Sequence, residues 1–369
     1  MVALAAAALA ACGSDDDAAD DGDTAESTTT IAEAAADDGE TDPDSAGDGG
    51  EASADEADEE GATASDPFPV TIEHTHGETT IESRPERVVT VGLRDQDAVL
   101  AMGVAPVGIQ DWFGEQPHAV WPWAQDELGD AEPVVLDPNE LDFETIASLD
   151  PDVIIGVDSG LTAEDHALLS EIAPTVAQPA EHADWAVPWR ERTLIVARAL
   201  GEEARANELI AEVETSIADA AAAHPELEGA TALIGLAAAD GQAYAYGSED
   251  VRSRFLVELG LEVPAVIEDQ VPDDSFFVTL SPENLGDLDA DVLVWIGGDL
   301  TAFEGVLDQP VYPARVADQG RDLFLPYDPL GGAISFASVL SLPFLAEELV
   351  PELALALDGD PSTTSTYGR

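Results

Sequence analysis

The spacing of apolar positions along this chain alternates between two periods, and the alternation sorts most of it into short strands and helices. Across residues 70–81 apolar and polar residues alternate at every second position around Gly77, which predicts a β-hairpin. Val88-Val-Thr-Val91 is a short apolar run and reads as a buried strand. Residues 95–102 predict a helix stopped by Gly103, followed by a strand at 107–109. A helix over 162–172 and a strand near Val176 come next. Leu194, Val196, Ala197, Leu200, Leu209, Ile210, Val213 and Ile217 then recur at helical spacing, with no proline between Pro188 and Pro225. This predicts one long helix, or two broken at Gly201. Beyond Pro225 the alternation resumes: strands at 232–236 and 244–246, a helix over 250–259 ended by Gly260, a strand at 322–325 and a final helix over 333–350. Residues 358–369 read as a frayed tail.

One unit of this pattern occurs twice without a gap. Leu141-Asp-Phe-Glu144-Thr-Ile-Ala-Ser-Leu-Asp150-Pro-Asp152-Val-Ile-Ile155 matches Leu280-Ser-Pro-Glu283-Asn-Leu-Gly-Asp-Leu-Asp289-Ala-Asp291-Val-Leu-Val294. Each copy reads as a short helix, a turn and a buried strand, with a glutamate near the helix start. Upstream, Leu100-Ala-Met-Gly103-Val104 has a weaker counterpart in Val257-Glu-Leu-Gly260-Leu261. Duplicated units imply two related lobes. Alternating strands and helices make each an α/β lobe with a mostly parallel sheet. The expected organisation is an N-terminal lobe over 68–187, a connecting helix over 188–224 and a C-terminal lobe over 225–357, with a ligand cleft between the lobes and the tail after them. The first lobe is the longer between its glycine and its glutamate, and the extra residues carry Trp112, Trp121 and Trp123.

Charge narrows the partners. The chain has 369 residues, 78 Asp and Glu against 12 Lys and Arg, and a net charge of -66; all the basic residues are arginine. Such a surface repels phosphate and argues against nucleic acid, and it suits a saline medium that screens repulsion. Of the acids, 21 lie between Asp15 and Asp66 with no arginine among them. Residues 13–67 hold almost no large apolar side chain, so they predict a disordered, extended acidic tether. Residues 1–12 are apolar up to Leu9-Ala-Ala-Cys12, which resembles a bacterial lipobox, although no basic residue precedes the run. Cys12 is the single cysteine, so no disulfide framework exists. The expectation is a signal peptide over 1–12, lipidation at Cys12 and anchoring at the outer face of the cell membrane.

Arg84-Pro-Glu-Arg-Val-Val-Thr-Val-Gly92, Leu100-Ala-Met-Gly-Val-Ala-Pro-Val-Gly108, Phe143-Glu-Thr-Ile-Ala-Ser-Leu-Asp-Pro-Asp-Val-Ile-Ile155 and Leu280-Ser-Pro-Glu-Asn-Leu285, in this order with a long helix between, resemble the solute-binding proteins of ABC importers for ferric siderophores, haem and cobalamin. The resemblance covers residues 68–357. It implies a monomeric, non-enzymatic protein with two lobes and a rigid backbone helix, hence little lobe closure. It further implies that the protein captures a ferric siderophore and delivers it to a permease and its ATPase, with iron carried inside the ligand and no resident cofactor. Haem or cobalamin is the alternative ligand, and a non-transport surface or sensory protein the alternative class. In that family one glutamate per lobe docks to permease arginines; by motif position these are Glu144 and Glu283. A glutamate in a first helical turn is also favoured locally by the helix dipole.

Open α/β sheets bind ligands beyond the carboxyl ends of their strands. The candidates there are Arg94, Trp112, Trp189, Tyr246, Arg252, Trp295 and Tyr327, with Asp111, Tyr244 and Trp185 nearby. Arginine supplies charge and planar donors and aromatics supply stacking surfaces, which suits catecholate or carboxylate chelates. Each has a plainer reading: Arg94 beside Asp95 and Asp97, Arg252 and Arg254 beside Glu249 and Glu258, Tyr244 and Trp295 as core. His74-Thr-His76 places two imidazoles on one strand, read as surface histidines, with His166 dispersed elsewhere. No G-x-S-x-G, H-E-x-x-H or phosphate loop is present.

Overall fold

The alternating run at the start of the folded region forms an antiparallel hairpin, β1 (Val70–His74) and β2 (Gly77–Ile81). Its inner face is Ile72, His74, Thr79 and Ile81. Gly77 turns it at φ +123°, a region that favours glycine. The structure, a computed structural model, describes residues 66–273, 275–297, 300–360 and 365–368. Cys12 and the acidic tether up to Ser65 lie outside them.

Two five-stranded sheets follow. The first contains β3 (Val88–Thr90), β4 (Gly108–Gln110), β5 (Val134–Leu136), β6 (Val153–Gly156) and β7 (Thr175–Ala177) in the order β5-β4-β3-β6-β7, all parallel. β3 and β6 are buried along their whole length, which is why their sequences read as unbroken apolar runs. The second contains β8 (Ala232–Ala237), β9 (Ala243–Tyr246), β10 (Phe277–Leu280), β11 (Val292–Ile296) and β12 (Asp322–Leu325) in the order β10-β9-β8-β11-β12. β8 pairs with β11 and β11 with β12 in parallel; β9 alone runs the other way, antiparallel to both β8 and β10, and follows β8 through a tight turn over 239–241. This lobe is therefore less parallel than its sequence pattern suggests.

The repeat occupies the same place in both sheets. Each copy runs from a short helix into the fourth strand, β6 or β11, which pairs in parallel with the first, β3 or β8, in matching register. The aspartate of each copy does the same work. Asp152 accepts from the Arg87 N–H at 2.9 Å, and Asp291 from the Thr231 N–H at 3.0 Å, tying down the start of the first strand. The upstream match is structural too. After Gly103 the chain pairs as β4 beside β3, and after Gly260, Glu262 makes a single parallel bridge to Thr231 beside β8.

The connection between the lobes is two helices, Trp189–Leu200 and Glu203–Ala223, rather than one. Gly201 breaks it at φ +71° and its N–H returns to Arg198, a left-handed helix end. A Cβ at Gly201 would lie 2.7 Å from the Phe68 ring. A continuous rod therefore does not hold the lobes together. Instead one apolar core runs through both lobes and the connection, from Val88 and Val153 through Val196, Leu200 and Val213 to Ile234, Val294 and Leu353.

The final helix expected over 333–350 is also divided, into Gly332–Phe336 and Ser341–Glu348, with Ala337 left-handed at φ +39° between them, and a further helix, Val350–Leu357, follows. Residues 365–368 are not frayed. Tyr367 accepts from the Phe324 N–H at 2.8 Å and packs on the core, so the tail extends the β12 edge.

Candidate functional site

In the first sheet the chain adds β4 and β5 on one side of β3, then places β6 and β7 on the other. The order reverses between β3 and β6, and just past their carboxyl ends stand Arg94 and Asp158. Both are buried. Arg94 grips Asp158 through two nitrogens, with Nη2 to Oδ1 at 2.6 Å, and also donates to the Trp185 carbonyl at 2.8 Å and the Ser335 carbonyl at 3.4 Å. Arg192 of the connecting helix lies 3.9 Å from Asp158 and donates to the carbonyls of Phe336 and Ala337 at 3.2 and 3.1 Å. Asp97 accepts from the Trp123 indole at 2.8 Å and from the Ser338 hydroxyl across the lobes. The buried arginines and Asp97 thus fasten the 335–338 turn of the C-terminal part to the first lobe.

Burial sets the charge states in this network. Burial pushes Asp95 up to about 7, assisted by the neighbouring Asp158 charge. Burial raises Asp97 to about 6, against the hydrogen bonds from Ser338 and Trp123. For Asp158 burial works in the same direction, but Arg94 and Arg192 outweigh it and hold the carboxyl below its ordinary range. Arg192 is drawn down by burial and by the charge of Arg94.

Beside the network the two lobes meet through aromatic rings. The segment after β4 brings Trp112 and Phe113, and the Pro122–Ala124 turn brings Trp123 next to Trp121. Trp112 lies 5.8 Å from Phe336, and Phe113 lies 6.0 Å from Tyr327 and 5.3 Å from Trp121. The Arg94 guanidinium stands 5.9 Å from the Trp112 ring. Trp112, Phe113 and Tyr327 are half-buried, so each keeps a face towards solvent. From β9 and the following helix come Tyr246 and Arg252. The guanidinium sits 4.4 Å over the phenol ring and pairs with Asp250 at 2.8 Å. The Val251–Glu258 helix that carries Arg252 packs on the Gly332–Phe336 helix, whose carbonyls receive Arg94 and Arg192, and this places these groups around one junction.

Five of the seven expected ligand residues therefore come together: Arg94, Trp112, Tyr246, Arg252 and Tyr327. Two do not. Trp295 is fully buried on the other side of its sheet, donates to the Tyr312 hydroxyl at 3.1 Å and packs over Gly235. Its position in β11 points it into a core the sequence pattern could not assign to a face. Trp189 is 4 % exposed, donates to Glu258 at 3.1 Å and carries Arg190 4.4 Å over its ring. Sequence reasoning missed Asp158, Arg192, Phe113 and Phe336. Only Asp158 carried a signal: it stands where the second copy of the repeat has Gly297, a departure just past a duplicated strand.

Glu144 and Glu283 are exposed at equivalent positions, each in the first turn leading to the fourth strand of its sheet. The histidines are not simple surface groups. His74, His76 and His166 cluster, with ring centroids 4.7 Å apart for His74–His166 and 5.0 Å for His76–His166. Burial and its neighbours lower His74 to about 4. The ring Nε2 of His76 bonds the Leu161 carbonyl and that of His166 the Thr175 carbonyl, and no metal-holding group exists among the described residues. Two surface cavities, of about 980 and 460 Å³, lie beside the hairpin, where Arg198 lines the first, and beside the Ser341–Glu348 helix; Arg94, Arg192 and Arg252 line neither.

A family model described as periplasmic binding protein matches residues 89–315. The chain belongs to the periplasmic binding protein family. The match includes both copies of the repeat, the network residues Arg94, Asp158 and Arg192, and the whole connection. A probable siderophore-binding lipoprotein of Bacillus subtilis, YfiY, is 28% identical over 61% of this chain and 68% of its own length. The Fe(3+)-citrate-binding protein YfmC of the same organism is 30% identical over 60% of this chain and 66% of its own. The chain thus spans about two thirds of each. The crystal structure of Streptococcus pneumoniae PiaA in complex with ferrichrome superposes with a TM-score of 0.70 at 30% identity, covering 79% of this chain and 99% of that one. The two-lobed α/β fold is that of periplasmic binding proteins.

Proposed function

We propose that this periplasmic binding protein is the solute-binding component of an ABC importer that captures a ferric siderophore at the junction of its lobes. The observation that carries this reading is the convergence of Arg94, Trp112, Tyr246, Arg252 and Tyr327, drawn from distant parts of the chain, onto the switch point of one sheet. Half-buried rings there offer stacking faces, and the buried network behind them fixes their positions without exposing its charges. Similarity to a probable siderophore-binding lipoprotein and to a ferrichrome complex supports the ligand class.

Delivery follows from the equivalent, exposed Glu144 and Glu283. Each presents one carboxylate from the same point of its lobe, a two-post surface for arginines of a permease. Lipidation at Cys12 and an extracytoplasmic location complete the reading; among the described residues no helix is long and apolar enough to cross a membrane. Tryptophan fluorescence tests the core of it. Saturable quenching of the full chain by a ferric siderophore, reduced in Trp112→Ala, is expected. Response to haem or cobalamin alone would replace the ligand, and silence towards all of them would remove the transport reading.

A further inference from the structure

Among the described residues the three arginines at the junction are already paired, Arg94 and Arg192 with the one carboxylate of Asp158 and Arg252 with Asp250. Arg94 holds Asp158 in a two-nitrogen grip and spends its remaining donors on the carbonyls of Trp185 and Ser335. Arg192 shares Asp158 and the carbonyls of Phe336 and Ala337. Arg252, the most accessible of the three, is bound to Asp250. Asp111 adds a half-buried carboxyl next to Trp112, and burial raises its pKa, the response of an acid with no cation beside it. Exposed Glu115 and Asp328 follow Gly114 and Tyr327 directly in the chain. Around the junction the net charge of -66 extends the same repulsion to longer range.

Charge-neutral surface therefore dominates what a ligand meets, and it is aromatic. A polyanion entering here reaches no cation without a carboxylate: Arg94 and Arg192 are buried, and Arg252, held by Asp250 through one nitrogen, has its charge already offset. Desolvating a multiply charged chelate against such a wall is unfavourable. A neutral or singly cationic chelate meets neither obstacle, and its apolar edges match Trp112, Phe113 and Tyr327.

We propose that the chelate selected here carries no net negative charge: a ferric hydroxamate, whose singly charged arms balance the ferric ion, rather than a ferric tricatecholate or ferric citrate, which remain anions. This rests on the siderophore reading above and narrows it. It also reverses the expectation that arginines at the strand ends select catecholates or carboxylates, because the structure shows those arginines neutralised from within.

The test is tryptophan-fluorescence titration of the full chain with ferrichrome (neutral), ferrioxamine B (cationic), ferric enterobactin and ferric citrate, at low and high salt. Hydroxamates are expected to bind at least about tenfold more tightly than either anion at low salt, with the gap narrowing at high salt as repulsion is screened. Asp250→Asn, which keeps a helix-capping side chain but frees Arg252, should tighten ferric citrate and ferric enterobactin relative to ferrichrome. Asp111→Asn, which breaks no ion pair, should act in the same direction and serves if the first variant does not fold. Tighter binding of either anion than of both hydroxamates, at both salt levels, overturns the proposal while keeping the siderophore function. No binding of any ferric chelate overturns both.

Discussion

The two lobes share a strand order and differ in how they reach it. In each, the first strand is flanked by the second on one side and the fourth on the other, and the duplicated helix–strand unit supplies the fourth. The N-terminal lobe reaches its second and third strands through crossovers, so all five strands run parallel; the C-terminal lobe uses a tight turn into β9 and then returns antiparallel as β10 after the helices Val251–Glu258 and Ala265–Glu268. The longer crossover after β4 is what brings Trp112, Phe113, Trp121 and Trp123 to the junction. The lobes also solve one packing problem in opposite ways. Where β3 and β6 meet, Gly156 on the fourth strand leaves room for Val91 and Leu161. At the equivalent place Trp295 stands on the fourth strand and Gly235 opposite it on the first. What is common to both lobes is thus the scaffold and its exposed glutamate; what differs is the chemistry at the strand ends.

That comparison can be broken most severely at the shared feature. Glu144→Ala with Glu283→Ala should lower siderophore uptake in cells by about tenfold or more while leaving solution affinity unchanged. Each single variant should lose part of it. Unchanged uptake in the double variant would mean the duplicated glutamates are only helix-turn acids.

Next come the features each lobe owns. Asp158→Ala leaves Arg94 and Arg192 buried without their carboxylate, and should cost about 3–5 kcal/mol in denaturant unfolding. Trp295→Ala empties a fully buried ring site and should cost a similar amount, about 3–5 kcal/mol, through lost packing rather than lost charge. Salt tells them apart only weakly, but ligand binding does so well: the first variant should lose affinity along with stability, the second stability alone.

A smaller effect sharpens the electrostatic difference. Folded protein holds the Asp97 proton up to about pH 6, whereas the unfolded chain releases it near 3.8. Between those values the native state binds more protons, so this group makes stability fall as pH rises. Asp97→Asn removes that slope and keeps an acceptor for Trp123. Its melting temperature relative to the parent should therefore climb from pH 4 to pH 7; a constant difference would contradict the buried protonated acid.

The smallest belongs to the second lobe. Burial opposes it, but hydrogen bonds from Arg315 and Thr231 hold Asp291 at about 2. Its contribution is present above its ordinary 3.8 and is lost as pH falls through about 2. Asp291→Asn should thus cost roughly 1 kcal/mol at neutral pH and nothing in strong acid, as read by thermal unfolding across that range.

Much of this was legible in the chain. The hairpin, the buried strands, both helix–strand copies and the glycine stops are set by local rules: period, apolar runs and φ values open to glycine. The sequence by itself determined two related α/β lobes, their equivalent Glu144 and Glu283, and the excess of tryptophan in the first. The antiparallel turn of β9 belongs with the legible part, since only residues 238–242 separate it from β8, too few for a parallel crossover. Tertiary structure alone decided the rest. Whether Trp295 faced the cleft or the core depended on which side of a doubly buried strand it took, and an unbroken apolar run does not record that. Above all, the partner of Arg94 is neither Asp95 nor Asp97 beside it but Asp158, which comes 64 residues later past the neighbouring strand, whereas Arg252 pairs locally with Asp250. Long-range pairing set the charge of the site, since a buried arginine is stable only where a carboxylate and carbonyls from other elements meet it.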